Sequence, residues 1–197
     1  MIRNAPFLAC LLATLVVAVP SAAAERESPL NGVNACSLLD AEAITKVVGL
    51  PVEPGIRRDS GREKNGSYSS TCLWVIHFAG SEAPDPDAPL GGRSFAILNV
   101  LTWQAGSGLA GTFLDAFQEA AKTGLIPSAP EARTFGDRAL WWGDGLAVAI
   151  GDVSFGLSIY TPAVEHAYPG EFEESLAPEI LRNLDGQKKQ APIDGSK

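Results

Sequence analysis

Between Arg138 and Tyr160, apolar residues alternate with small or polar ones in three short runs, broken at Asp144-Gly145 and Gly151-Asp152. Period-two alternation punctuated by such pairs predicts a meander of three antiparallel strands joined by tight turns. With those pairs as the central turn residues, Trp141 faces Val148, which faces Phe155, while Trp142 faces Ala147, which faces Gly156. The two tryptophans then point to opposite faces. One face, with Leu146, Val148, Ile150, Val153, Phe155, Leu157 and Ile159, is core. The other carries Trp142, Ala147, Ala149, Ser154, Gly156, Ser158 and Tyr160, small residues bordered by two aromatics that either receive a helix or form an open groove.

Two more strands precede the meander. Cys72, Trp74, Ile76 and Phe78 alternate with Leu73, Val75 and His77, and Ser94 to Trp103 is rich in β-branched and apolar residues; both read as central strands. Three helices are expected. Asp40 caps one that runs through Ile44 and Val47 to a stop at Gly49. Phe113, Phe117, Ala120 and Ala121 mark a second, ending at Gly124, and Phe172, Leu176, Ile180 and Leu184 mark a third. Pro178 either kinks that third helix or opens it. The sum is an α+β fold: an antiparallel sheet of about six strands with three helices packed on it and one disulfide.

The disulfide follows from the cysteine count. Arg3, the apolar run Phe7 to Val19 and Pro20-Ser21-Ala22-Ala23-Ala24 have the charge, length and small-residue site of a secretory signal peptide spanning residues 1–24. Cys10 lies inside that run, too early for a lipoprotein cut to follow a complete hydrophobic segment. Its removal leaves Cys36 and Cys72, an even pair bound for an oxidising compartment, periplasmic or extracellular. Closing the intervening loop contributes roughly 4 kcal/mol on the chain-entropy model. Residues 25–185 are expected to form one domain, with 186–197 a polar, flexible tail. No later run approaches the ~20 apolar residues of a membrane helix.

A net charge of −8 argues against nucleic acid and anionic membranes as partners. Gly106-Ser107-Gly108-Leu109-Ala110-Gly111 formally matches a dinucleotide fingerprint, with Glu131 downstream. The Pro-broken Leu125-Ile126-Pro127 and the antiparallel meander leave no second parallel strand, so the glycines read as a connection before a helix. Asp85-Pro86-Asp87 opens like a calcium loop, but Pro89 and Leu90 occupy positions that need a ligand and a glycine. His77 and His166 lack recognisable catalytic partners, and no G-x-S-x-G, H-E-x-x-H or C-x-x-C occurs. Glu171, Glu173 and Glu174 read as favouring a helix N-terminus through its dipole. No cofactor, metal or catalytic residue is therefore expected.

Asn34-Ala35-Cys36-Ser37-Leu38-Leu39-Asp40-Ala41-Glu42, Gly49-Leu50-Pro51-Val52, Cys72-Leu73-Trp74 and Gly136-Asp137-Arg138-Ala139 resemble a family of secreted and lipoprotein envelope domains of unknown function, common in actinobacteria. The resemblance spans most of the chain after residue 24. It implies an α+β envelope domain with the two cysteines bridged, and transfers no catalytic residue. Without a lipidation cysteine, this chain departs from many members.

The function expected is non-enzymatic: an exported module that binds a small molecule or an envelope protein, of unassigned oligomeric state. Two surfaces are candidates. One is Trp142 with Tyr160, an aromatic platform, unless Trp142 instead lies across Ala147 and Gly156 as packing. The other is the basic segment Ile56 to Ser70, read as a loop carrying Arg57, Arg58, Arg62 and Lys64. The alternatives are a small hydrolase with a spatially assembled site and an inhibitor that inserts this loop into a target enzyme.

Overall fold

The Gly151-Asp152 turn joins two strands that bury Leu146, Val148, Val153, Phe155 and Leu157, and the fold is built outward from that hairpin. In the computed structural model, which describes residues 32–77, 94–162, 164–165 and 167–190, the order is α1 (Ala41–Val48), β1 (Ile56–Arg62), β2 (Tyr68–Ile76), β3 (Ser94–Thr102), α2 (Thr112–Lys122), β4 (Glu131–Arg133), β5 (Arg138–Trp141), β6 (Leu146–Ile150), β7 (Val153–Tyr160) and α3 (Glu171–Gln190). The strands form one antiparallel sheet in the order β1-β2-β3-β7-β6-β5-β4. The α+β expectation holds, with seven strands rather than about six.

The two strands that the sequence pattern does not place are β1 and β4, the two edges. Ile56 to Ser70 is not a loop: β1 and the start of β2 make a hairpin turning at residues 63–67, and all of β1 except Gly61 is exposed. A strand with both faces in solvent has no apolar alternation to reveal it, and pairing with β2 supplies its conformation. The signal segment 1–24, the Asp85-Pro86-Asp87 motif, Phe78 and His166 lie outside the described residues.

The β6–β7 register is as expected, with Val148 opposite Phe155 and Ala147 opposite Gly156. In the preceding hairpin, however, Trp141 pairs with Leu146 and Leu140 with Ala147. The connection is four residues long, Trp142 to Gly145, closed by the Trp142 amide donating to the Gly145 carbonyl (3.1 Å). Gly143 there has φ 110°, a conformation closed to other residues without strain, which lets the turn widen. The slip is two residues, so every side chain keeps its face; a slip of one would have inverted them. Trp141 packs in the core on one side, and Trp142 sits with α2 on the other.

Both faces are covered unequally. Cys72, Trp74, Leu98, Phe155, Leu157 and Val148 bury against Ile44 and Val48 of α1 and against Leu176, Ile180 and Leu184 of α3. Each such side chain contributes about 1.5–3 kcal/mol of transfer free energy. Asp40 caps α1 by accepting from the Ala43 amide (2.8 Å), and Gly49 ends it. α3 starts before Pro178, which lies in its interior, and continues past the boundary expected at residue 186 as far as Gln190. On the other face α2 sets Leu114, Phe113 and Phe117 over Leu140, Ala147 and Ala149. The small-residue face therefore receives a helix, and the glycine-rich 106–111 segment leads into it; the strand that follows, β4, is antiparallel and at the sheet edge.

Cys36 and Cys72 are bonded, tying the turn before α1 to the centre of β2. The Ala35 amide donates to Ser70 Oγ (3.0 Å), and Ser70 Oγ to Asp59 Oδ1 (2.6 Å), so β1, β2 and the α1 approach share one junction. Replacing both cysteines by serine should cost about 4 kcal/mol, lowering Tm by roughly 8–16 °C. Calorimetry of the wild type with and without reductant should show the same fall.

Candidate functional site

β6 is shorter than the strand it pairs with, and the mismatch makes a cleft. β3 and β7 stay paired out to Phe95 and Tyr160, but β6 begins at Leu146, opposite Leu157. Ser158, Ile159 and Tyr160 therefore have a strand on one side only, and the notch is framed by the Gly143-Asp144 turn and by the first turn of α3. The resulting cleft encloses about 480 Å³ and is mainly apolar. Phe95, Ile97 and Tyr160 line it from the α2 side of the sheet, and Trp141, Ile159 and Phe172 from the α3 side.

Glu173 closes the open strand edge. With no β6 residue opposite, the Ile159 amide donates instead to Glu173 Oε1 (2.7 Å), so a carboxyl oxygen takes the place of a sheet carbonyl. The residue is only 3 % exposed. Burial pushes its carboxyl up to about 7, against the Ile159 and Glu173 amides, which favour the charged form, and with the neighbouring Glu174 charge adding to the rise. Glu174 itself is held outside the cleft, accepting from Arg133 Nε (2.5 Å) and from the Tyr168 hydroxyl (3.3 Å). Arg133 also donates to Glu131 (3.1 Å).

Gly170 sets the helix start close to the cleft floor. Its φ is 94°, and an added Cβ would lie 3.0 Å from the Trp141 ring, so only glycine brings the α3 N-terminus so near that indole. Thr161, 7 % exposed, also lines the cleft, and among the described residues its hydroxyl has no hydrogen-bond partner. Tyr160 is 50 % exposed, with its ring centroid 5.7 Å from that of Phe95 at the mouth.

The two aromatic residues singled out from the sequence have separate settings. Tyr160 lines the cleft and Trp142 does not. Trp142 stacks on Phe117 of α2 (centroids 4.5 Å, planes 20° apart), and its ring edge lies 3.7 Å from where a Cβ of Gly156 would be. The basic residues are brought to the far edge of the sheet, three strands from β7. Arg57 pairs with Asp59 (2.5 Å), whose carboxyl that contact holds below its ordinary range; Arg58 pairs in register with Thr71, Arg62 with Tyr68, and Lys64 lies in the turn. None of the four lines the cleft. His77 Nε2 and Glu53 Oε1 are 2.7 Å apart on the exposed surface. Among the described residues no group of three His, Cys, Asp or Glu side chains is placed to hold a metal ion.

Comparison with protein-family models, with curated proteins and with solved structures finds no match for the chain.

Two outcomes are expected. Between about pH 4.5 and 7 the folded protein holds a proton on Glu173 that the unfolded chain has released, so this group's contribution to stability is full below pH 4.5 and lost as pH rises through 7. Relative to Glu173→Gln, wild-type stability should fall across that window by on the order of 3 kcal/mol, measured as denaturant midpoints at each pH. Trp142→Ala removes the stack on Phe117 and should cost roughly 2 kcal/mol, or about 4–8 °C in Tm, while leaving the cleft lining in place.

Proposed function

We propose that this protein is an exported, non-enzymatic binding module that holds a small molecule in the notch between β7 and α3. The observation that carries the reading is the cleft itself: about 480 Å³ with aromatic and aliphatic walls and one buried carboxyl. Small-molecule sites have this size and character, a mostly apolar concavity with few fixed polar groups. Strand ends, the turn between β5 and β6 and a helix start frame it, elements anchored in the sheet and core, and such a frame favours a defined pocket.

The Cys36–Cys72 bond fits an oxidising compartment, and among the described residues no helix is long and apolar enough to cross a membrane. Together with the signal-like residues 1–24, these support placement in the periplasm or outside the cell. The envelope-domain resemblance supports the same setting. A protein partner at the exposed β1 edge is the lesser reading, because Arg57 there is already engaged by Asp59.

Native mass spectrometry of the oxidised protein, recovered gently from its own host, is expected to show a small-molecule adduct. Ile97→Trp, which fills the cleft, should abolish the adduct, and Tyr160→Ala should weaken it. Turnover of ester, phosphate or glycoside substrates that is lost in Glu173→Gln would overturn the non-enzymatic reading.

A further inference from the structure

We propose that the ligand of this cleft is an organic cation, an amine on an aromatic or aliphatic body, with its ammonium group placed against Glu173 and its apolar part against Tyr160 and Phe95. The inference rests on the binding reading above and adds the chemical class.

The first argument is charge. Asp144 from the β5–β6 turn and Glu171 and Glu173 from α3 line the cleft, and among the described residues no Lys, Arg or His does. Arg133, the cation associated with this end of α3, is committed to Glu174 and Glu131. An anionic ligand would meet three carboxyl groups and, among the described residues, no counter-charge, whereas a cation would be drawn in. The second is the wall chemistry. Aromatic faces attract cations through their quadrupoles, and carboxylate with aromatic rings is the combination by which ammonium groups are held out of water.

The groups facing Glu173 set the pH behaviour. On its own helix they are Glu171, which accepts from the Ala167 amide (2.6 Å), and Glu174; across the notch lie Asp144 and the Ile159 amide; from β4, Arg133 is reached only through Glu174. Burial holds the Glu173 carboxyl partly protonated near neutrality. A cation must displace that proton, so it should bind best above pH 7 and release a proton when it binds below it.

The test uses three probes of one shape and different charge: phenethylammonium, 2-phenylethanol and 3-phenylpropanoate. Their binding to the oxidised protein is followed by NMR through the Trp141 indole resonance. At pH 8 the ammonium should bind at least tenfold more tightly than the alcohol, with the carboxylate weakest. At pH 5.5 its affinity should fall by about 30-fold, the loss of ionised Glu173 expected over that interval. In Glu173→Gln both the preference and its pH dependence should vanish; Gln can still accept from the Ile159 amide, and should that variant not fold, the wild-type pH profile reads the same pairing. Equal or tighter binding of the alcohol or the carboxylate would overturn the cation assignment and leave the binding reading standing. Failure of all three to perturb the cleft would overturn both.

Discussion

The eight-rung pairing of β3 with β7 joins a sheet that the chain builds in two halves. β1, β2 and β3 form before the chain crosses through α2, and β4 to β7 form after it. The halves are joined where Phe95 to Thr102 lies beside Val153 to Tyr160. Both strands are long because the core beneath them, from Ala96, Leu98 and Val100 to Phe155 and Leu157, must reach α1 and α3 together. The length needed for that seam exceeds what β6 can match, since β6 is cut short by the four-residue turn that swings Trp142 onto α2. The notch is thus a by-product of two packing demands, and Glu173 is the group that makes it tolerable by satisfying the stranded Ile159 amide.

This arrangement separates a sealed face from an open cleft. The face under α2 is sealed by Leu114, Phe113 and Phe117 over alanine and glycine, and Trp142 belongs to that seal. Tyr160, at the other end of the same face, stays half exposed with Phe95 beside it. Two aromatics on one alternating face thus have different settings because a helix covers one and not the other.

Much of the fold was legible from local pattern. The meander showed itself because Leu146, Val148, Phe155 and Leu157 recur at period two with turns between, and α1 because Asp40 and Gly49 mark its ends. The Asp144-Gly145 turn was misread by two residues, since a wider loop through Gly143 leaves the same side-chain parity and therefore the same apolar pattern. β1 was hidden, as Ile-Arg-Arg-Asp-Ser-Gly-Arg carries no buried face to betray it. Of the site, Tyr160 was legible and Glu173 was not. In the sequence Glu173 is one of three acids at a helix start; its burial arises from the absence of β6 opposite Ile159, about fourteen residues away, and no local signal encodes that absence.

The two ends of the sheet have a consequence for behaviour at high concentration. An open antiparallel sheet leaves unpaired amides and carbonyls along its outermost strands, and these can template the addition of another chain. Here one outermost strand presents Arg57, Arg58, Asp59 and Arg62 and is irregular between Asp59 and Gly61, while the other is only three residues long and carries Glu131 and Arg133. A neighbouring molecule that tried to extend the sheet would have to desolvate charge at one border and would find too few rungs at the other. The hydrophilic composition that concealed β1 in the sequence is thus also what disfavours fibril-like growth at that border.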